Sequence, residues 1–365
     1  MQQRNDIIIT YGKDPASMTR KLIEAAELDK LIGNTDAKIV LKPNLVVGVT
    51  PEGGATTHPE IAVAIIEYLK EHGFHHITIE EGSWVGDATP RGFKANGYYD
   101  IGAKYDVAIV DGQKDQYETV QAEGVRMEVC KTVTQCDFLI SLPVLKGHCQ
   151  TVMTCALKNM KGVLSNRSKR MFHSMGLMKP IAALNAWRSA DFVVVDSLNG
   201  DMDFEEGGNP VETDRMFTAR DSVLCDAFGA NLMGFKLSDV PYIKLAESYG
   251  VGSADLSQAN IISLNEPQSV TSARPTGYAR ELAHYTDPKD ACSACFGNLI
   301  HALKRMDENG VLEQLPQKIC IGQGYKGVQD STKVGVGACT RGLAASCKGC
   351  PPSAGDMLKF LENLL

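Results

Sequence analysis

Short, wholly apolar runs recur along the first half of the chain and alternate with segments of helical periodicity. Apolar residues spaced by three or four positions mark residues 15–32, and again Ile61, Ile65 and Leu69, with Thr57 as the predicted N-cap of that second helix. Apolar strands alternating with amphipathic helices are typical of a parallel sheet covered on both faces. The sequence therefore predicts an α/β fold with a largely parallel sheet, whose strands include 7–12, 38–41, 75–82 with its exit loop, 107–111, 138–142 and 192–196.

Polar residues follow the ends of several predicted strands. They are Lys42 and Asn44, Glu81, Lys146 and His148, and Asp196. In open parallel sheets, ligands bind beyond the carboxyl ends of the strands, so these side chains are candidates to line one cleft. The alternative is that strand ends are loops, and that loops are polar for reasons of solvation.

The distribution of charge sharpens the cleft hypothesis. Residues 141–180 contain no Asp or Glu, whereas residues 196–214 contain no Lys or Arg. A patch of one sign attracts ligands of the other, which predicts a small anionic ligand held by Lys42, Asn44, Lys146 and Lys158. His148, His173 and Glu81 are the candidates for proton transfer. Alternatively, the basic and acidic stretches neutralise each other.

Overall composition excludes several classes of function. The net charge of −7 argues against nonspecific binding to nucleic acid. The chain has no apolar run of the roughly 18 to 20 residues needed to cross a bilayer, and no apolar signal core at its start. We expect a cytoplasmic protein that contacts neither nucleic acid nor membrane, with thiols that stay reduced.

Cysteines concentrate at the end of the chain, where residues 291–365 hold six of the eleven. Cys292 and Cys295 form one Cys-x-x-Cys pair, Cys347 and Cys350 form another, and Cys339 lies between them. Reduced, clustered cysteines are typical of an iron–sulfur cluster, a zinc site or a redox-active dithiol. Outside this region, the cysteines expected to be small core residues are Cys130, Cys136, Cys149, Cys155 and Cys225. For Cys149 and Cys155, which flank the basic stretch, the alternative is that they line the cleft. These features predict an α/β ligand-binding body at 1–263 and a cysteine-rich lobe at 264–365.

Several motifs together resemble the domain-of-unknown-function 362 (DUF362) family of prokaryotes. They are 41–45, 55–60, 80–83, 138–148, 156–162, 194–196 and 219–222 with Asp226, so the resemblance covers roughly residues 5–250. It implies an α/β domain that is often attached to iron–sulfur elements, and it adds Asn159 to the candidate ligand-binding residues. The family usually has Asp or Asn where this chain has His58, and Thr where it has Gly147.

The tail Gly349-Cys350-Pro351-Pro352 resembles the cluster-binding subunit of complex I and the small subunit of nickel–iron hydrogenases. In those proteins the cysteine of this motif ligates a [4Fe-4S] cluster. The resemblance implies that Cys350 is a ligand, with Cys292, Cys295 and Cys339 as the others. A cysteine ahead of a helix N-terminus is also favoured as a thiolate by the helix dipole.

Two functional hypotheses from different classes follow. The first is an iron–sulfur oxidoreductase that acts on a small anionic substrate and exchanges electrons with an electron-donor protein. The second is a non-enzymatic electron-transfer or accessory protein. A structural zinc site in the C-terminal lobe is the alternative for the metal.

Overall fold

The computed structural model describes residues 1–267 and 277–365. The chain divides into two compact units. The α/β unit contains Met1–Lys169 and Met178–Pro275, and the C-terminal unit contains Arg170–Leu177 and Thr276–Leu365. The predicted passage into the cysteine-rich lobe, residues 264–290, lies partly outside the described residues, and the predicted boundary between 263 and 264 stays a prediction.

The described strands are β1 Asp6–Tyr11, β2 Ile39–Pro43, β3 Ile77–Glu81, β4 Ala108–Asp111, β5 Tyr117–Ala122, β6 Val125–Cys130, β7 Phe138–Leu142, β8 Lys146–His148, β9 Val152–Thr154, β10 Phe192–Ser197, β11 Arg215–Ala219, β12 Asn260–Ser263, β13 Thr286–Pro288, β14 Ile319–Ile321, β15 Asp330–Val336 and β16 Leu343–Cys347. The described α-helices are α1 Pro15–Ala26, α2 Leu28–Ile32, α3 Pro59–Glu71, α4 Thr89–Ala95, α5 Tyr98–Tyr105, α6 Lys131–Thr134, α7 Ala156–Asn159, α8 Asn166–Ser174, α9 Met178–Trp187, α10 Ser222–Leu232, α11 Pro241–Ser248, α12 Tyr278–Leu282, α13 Ser293–Glu308 and α14 Ala354–Glu362.

The α/β unit is built on a mixed sheet whose strands lie in the order β12-β1-β11-β10-β7-β2-β3-β4. Strand β11 runs antiparallel to both of its neighbours, β1 and β10. The remaining neighbours pair in parallel, including β10 with β7, β7 with β2, and β2 with β3. The predicted α/β class with a largely parallel sheet is therefore confirmed.

Helices α1 and α3 pack against each other, and their apolar residues belong to the main core cluster. Helix α1 begins after Asp14, whose carboxylate accepts a hydrogen bond from the Ala16 N–H. The periodic stretch at 15–32 forms two helices rather than one, because Glu27 adopts a left-handed conformation (φ 54°) that ends α1. The Thr57 side chain donates to the Leu142 carbonyl, so the predicted cap is wrong, and His58 holds the N-cap position instead.

The C-terminal unit has its own sheet, in which β13, β14, β15 and β16 are all parallel. Helix α13 packs on α14, and its apolar face is formed by residues such as Phe296, Leu299 and Leu303. Within residues 1–267 and 277–365, no helix combines the length and apolar character that a bilayer crossing requires.

Candidate functional site

Five predicted site residues meet in one buried network at the carboxyl ends of β2, β3 and β7. We call this network, made of Lys42, Asn44, Glu81, Lys146 and Asn159, the polar centre. Asn44 Nδ2 donates to Asn159 Oδ1 at 3.0 Å, and Lys146 Nζ donates to Asn44 Oδ1 at 3.1 Å. Asn159 in turn donates to the Ser141 hydroxyl at 2.9 Å. The network forms because parallel strands deliver their ends to one edge of the sheet.

Lys42 and Glu81 form a closed ion pair within the polar centre. Lys42 Nζ lies 2.7 Å from Glu81 Oε2, and both side chains are almost fully buried. The Lys42 ammonium also donates to the Pro43 carbonyl at 3.2 Å and to Asn159 Oδ1 at 3.4 Å. Gly162 covers the pair so closely that a Cβ at this position would lie 2.2 Å from Glu81 Oε1. Three acceptors therefore match the three donors of the Lys42 ammonium.

Lys146 is also fully provided with acceptors. Its Nζ donates to Asn44 Oδ1, to the Ala55 carbonyl and, at 2.8 Å, to the Glu205 carbonyl. Burial, followed by the neighbouring charge of Lys158, lowers the pKa of Lys146 to about 7. The acidic stretch at 196–214 therefore gives Lys146 a backbone carbonyl and not a carboxylate as its acceptor. The Lys146 amine, which is partly neutral at this pKa, is bound by one amide oxygen and two backbone carbonyls.

Lys158 differs from the two lysines above. It lies on α7, is partly exposed, and makes one hydrogen bond among the described residues, to Thr154 Oγ1 at 3.4 Å. Burial lowers its pKa to about 8, and the charge of Glu205 opposes that shift. Lys158 therefore has donors left for a ligand, which is the property that an anion site requires.

His148, Cys149 and Glu205 form a second polar cluster beside Lys146. Ligand atoms of the three lie within 4.8 Å of one another. The backbone N–H groups of Gln150 and Thr151 donate to His148 Nδ1, at 3.0 and 3.2 Å. Because Nδ1 accepts, the proton of a neutral imidazole belongs on Nε2, which faces Glu205 Oε1 at 3.3 Å. This tautomer makes His148 a donor to Glu205 and removes its Nε2 lone pair from metal ligation.

The Cys149 thiol is protonated in this cluster. Its N–H donates to Glu205 Oε2 at 3.3 Å, and its Sγ lies 3.5 Å from Glu205 Oε1. Burial, with the Glu205 charge, raises the pKa of the Cys149 thiol well above its usual range. A thiol held in this form is a weak nucleophile.

His173, the third candidate for proton transfer, lies on α8 in the segment Arg170–Leu177. That segment groups with the C-terminal unit, so the α/β unit by itself contains only His148, in the cluster with Glu205, and Glu81, in the polar centre. The catalytic roles of all three residues stay predictions.

Sequence reasoning missed several buried charged groups around the polar centre. His58 Nδ1 lies 2.8 Å from Asp196 Oδ2. Burial alone would lower the pKa of His58, but the hydrogen bond and charge of Asp196 raise it overall. Glu80 is fully buried, and this burial raises its pKa to about 8. Lys169 Nζ donates to the Gly82 and Ser83 carbonyls. For Glu80 the sequence signal was polarity inside the otherwise apolar strand β3, whereas His58 and Lys169 lie outside the strands.

The C-terminal unit gathers the four cysteines that were predicted to bind metal. Cys292 is the N-cap residue of α13, and Cys295 lies in its first turn. Cys339 lies in a short 3-10 turn after β15, and Cys350 precedes α14. Cys350 is exposed, and the other three are partly exposed. The parallel sheet of the C-terminal unit and its connections thus bring into one region cysteines that are up to more than fifty residues apart in the sequence.

The four thiols are close enough to affect one another's ionisation. Burial, then the charges of Cys339 and Cys350, raises the pKa of Cys292. Burial, then the charges of Cys292, Cys339, Cys350 and Cys347, raises the pKa of Cys295 to about 12. Burial raises the pKa of Cys339, the charge of Lys326 opposes this rise, and the charge of Cys350 adds to it. Each of the six pairs is represented, so the four sulfurs share one region. Four thiolates there need a cation between them.

The spacing of these sulfurs bears on the kind of metal. A tetrahedral zinc ion with Zn–S bonds near 2.3 Å brings its thiolates within about 3.8 Å of each other. Among the described residues, the groups of three ligand atoms within 4.8 Å are the His148 cluster above and a second, Cys155-Cys225-Asp226. Within the part of the chain that the structure describes, no three of the C-terminal cysteines have sulfurs within 4.8 Å of one another.

Gly337 shapes the backbone beside Cys295. Its φ of +91° is in the left-handed region, and a Cβ here would meet Cys295 Sγ at 3.3 Å. The Gly337 and Ala338 N–H groups donate to the Cys347 and Gly349 carbonyls, at 2.9 and 2.7 Å. Gln323 Nε2 lies 3.5 Å from Cys292 Sγ. Close backbone and a side-chain amide around the thiols are the surroundings that stabilise an anionic cluster.

Comparison with solved structures gives distant similarities of fold. A lactate racemase apoprotein from Thermoanaerobacterium thermosaccharolyticum has a TM-score of 0.42 at 13% identity, over 64% of this chain and 57% of that one. A protein from Thermotoga maritima has a TM-score of 0.39 at 13% identity, over 70% of this chain and 62% of that one. Neither likeness bears on the chemistry of this chain.

Comparison of sequences is more informative. The thylakoid-associated protein sll1697 of Synechocystis sp. is 30% identical over 139 residues, which are 37% of this chain and 42% of that protein. The chain thus matches less than half the length of this curated relative. The model of the family described as "Domain of unknown function (DUF362)" matches residues 39–231, from β2 to α10, and includes the whole polar centre. Because this match covers more than half of the chain, the chain belongs to the DUF362 family.

Proposed function

We propose that this chain is an iron–sulfur protein whose C-terminal unit holds a [4Fe-4S] cluster on Cys292, Cys295, Cys339 and Cys350. The observation that carries the proposal is the convergence of the backbone segments that hold these four thiols. A Cβ at Gly337 would lie 3.3 Å from Cys295 Sγ. The Ala338 N–H, next to Cys339, donates to the carbonyl of Gly349, next to Cys350, at 2.7 Å. When bound, such a cluster supplies one-electron transfer. The start of α13, at Cys292, favours thiolates through the helix dipole, and Gly337 allows close backbone approach to Cys295.

The metal is tested by purifying the full chain without oxygen. We expect a brown protein with iron and acid-labile sulfide, whose visible absorption bleaches on adding dithionite. A colourless protein with one tightly held zinc that Cys292→Ser and Cys350→Ser both remove would replace the cluster with a structural zinc site.

The ligand set is tested by single serine variants. Cys292→Ser, Cys295→Ser, Cys339→Ser and Cys350→Ser should each lower the iron content. Cys347→Ser is the control, because its thiol is buried at the end of β16, whereas Cys350 is exposed in the Gly-Cys-Pro-Pro motif ahead of α14. If Cys347→Ser lowers the iron content and Cys339→Ser does not, this assignment is wrong, and the two Cys-x-x-Cys pairs are the ligands.

We also propose that the α/β unit binds a small anionic ligand, and that the protein is a redox enzyme acting on it, working with an electron-donor protein. Lys158 supports this proposal, because it has donors left and lies near Glu205 and Cys149. Lys158→Met should weaken binding of the anion by roughly 1.5 to 3 kcal/mol, which is the contribution of one charge-assisted hydrogen bond. Lys146→Met should mainly lower stability, because it leaves three buried acceptors without a donor.

A non-enzymatic role in electron transfer is favoured by one specific observation. Lys42 and Lys146 spend all three ammonium donors within the protein, so ligand binding by either would have to displace an existing bond. Isothermal titration of the purified protein with a panel of carboxylates and phosphates separates the roles. Saturable binding that Lys158→Met abolishes supports the enzyme, and its absence at millimolar ligand supports the carrier.

A further inference from the structure

Three ligating side chains meet inside the α/β unit, away from the C-terminal cysteines. Cys155 directly precedes α7, while Cys225 and Asp226 are on α10. The two sulfurs lie 4.0 Å apart, and a carboxylate oxygen of Asp226 lies within 4.8 Å of both. All three side chains are fully buried. From sequence both cysteines were expected to be isolated core residues, but the fold brings them together across 70 positions.

We propose that Cys155, Cys225 and Asp226 form a binding site for a zinc ion. The sulfur separation is close to the roughly 3.8 Å between thiolates on a tetrahedral zinc ion. Two thiolates and a carboxylate are donors that zinc accepts, and three protein ligands leave one position for a small ligand such as water.

The Asp226 carboxylate is the independent observation behind this site. Its Oδ1 accepts a hydrogen bond from the Leu157 N–H at 3.3 Å, whereas its Oδ2 has no partner at hydrogen-bond distance among the described residues. The nearby Tyr242 hydroxyl donates to the Met153 carbonyl at 3.3 Å, and together with the Cys155 thiol it only partly offsets the effect of burial, which raises the pKa of Asp226 to about 7. Packing alone accounts for two buried thiols, which behave as small apolar side chains. It does not account for a buried carboxylate oxygen without a donor, which is costly unless a cation or proton occupies it. A zinc ion between the three groups supplies the missing partner.

The position of this site gives it a structural role. Zinc would tie the start of α7 to α10, and α7 carries Lys158 and Asn159. Asn159 bonds to Asn44 and Ser141 in the polar centre. The ion would therefore fix the short helix that orients these side chains. This inference uses none of the C-terminal cysteines, so it stands or falls separately from the iron–sulfur proposal.

The test compares zinc content and cobalt binding in the full-length wild type, Cys225→Ser and Asp226→Asn. Cys136→Ser is the matched control, because Cys136 is another buried thiol and its Sγ contacts the Val133 carbonyl. Metal at the C-terminal cysteines is common to all four proteins and cancels in the comparison. We expect the wild type and Cys136→Ser to hold one more zinc per chain than the other two. Titration with Co²⁺ should give a sulfur-to-cobalt charge-transfer band that Cys225→Ser weakens.

Equal metal content and equal cobalt spectra in folded wild type and Cys225→Ser would overturn the proposal. Cys225→Ala preserves the packing volume and serves if the serine variant does not fold. A wild type without this zinc whose intact mass is lower by two hydrogens, with a Cys155–Cys225 cross-link in its peptide map, would also overturn it, because the pair would then be a disulfide site.

Discussion

At the scale of single residues, burial determines what the charged groups can do. Lys42 and Glu81 illustrate this, because a pair that is almost fully buried depends on both partners. Lys42→Met leaves the Glu81 charge buried without its cation, and we expect a loss of about 3 to 5 kcal/mol in the free energy of unfolding. Chemical denaturation measures this change. Lys13→Met is the control: its pairs with Glu212 and Asp214 are exposed to solvent, so their loss should change the free energy of unfolding little. Equal losses in the two variants would contradict the closed pair.

Glu80 makes the stability of the folded protein depend on pH. Its pKa rises from an ordinary value of 4.5 to about 8 in the folded protein, chiefly because of burial. Between these two values the unfolded chain releases a proton that the folded chain retains, so stability falls as the pH rises through this window. Glu80→Gln should reduce that slope, as measured by thermal unfolding between pH 5 and 8 (about the span of the shift). Glu118→Gln, on the exposed face of β5, should leave it unchanged. A slope unaffected by Glu80→Gln would mean that other groups cause it.

The sequence identified the polar centre by residue type, but not the state of its members. Lys42, Asn44 and Lys146 were predictable because strand ends meet at one edge of a parallel sheet. That Lys42 is closed by Glu81 and Gly162 depends on distances that sequence does not contain. The burial of Glu80 was not predictable for a different reason. A polar residue in a strand is expected to face solvent unless it is known that other elements cover that face of the sheet.

At the scale of secondary-structure elements, the turn that follows β15 leaves little space for a side chain at Gly337, next to Cys295. Gly337→Ala adds a Cβ that lies 3.3 Å from Cys295 Sγ, at a residue whose φ is +91°. We expect lower iron content after anaerobic purification. Gly310→Ala is the control for a positive φ, because its φ is +70° while its Cβ enters open space. Gly337→Ala should cost more stability, because Gly337 combines φ +91° with ψ 156°, a region that is essentially restricted to glycine. Only Gly337→Ala should lower the iron content. Equal iron contents would contradict a role for Gly337 at the thiols.

Element boundaries were predictable where the chain carries a strong local signal. Asp14 and Pro15 mark the start of α1, as an N-cap and first-turn proline should. The end of α1 was missed because Glu27 adopts a left-handed conformation without glycine, which local sequence does not signal. The antiparallel placement of β11 was also missed, since its apolar pattern is compatible with either direction.

At the scale of the whole molecule, the two units divide the proposed chemistry between them. The α/β unit carries the polar centre and the Cys155 site, and the C-terminal unit carries the four coupled cysteines. Alternating strands and helices predicted the class of the first unit. The clustering of cysteines predicted the content of the second, although its four-stranded parallel sheet left no clear pattern in the sequence. Short strands of three residues, such as β13 and β14, are too brief to show periodicity.

The place of β1 in the sheet has a consequence for synthesis. Its two neighbours in the sheet are β11 and β12, which begin about 200 and 250 residues further along the chain. At a translation rate of roughly 5 to 20 residues per second, Ile7, Ile8 and Ile9 are made about 10 to 40 seconds before β11 can pair with them. During that interval the nascent chain carries an apolar strand without its partners, which makes β1 a segment prone to premature association.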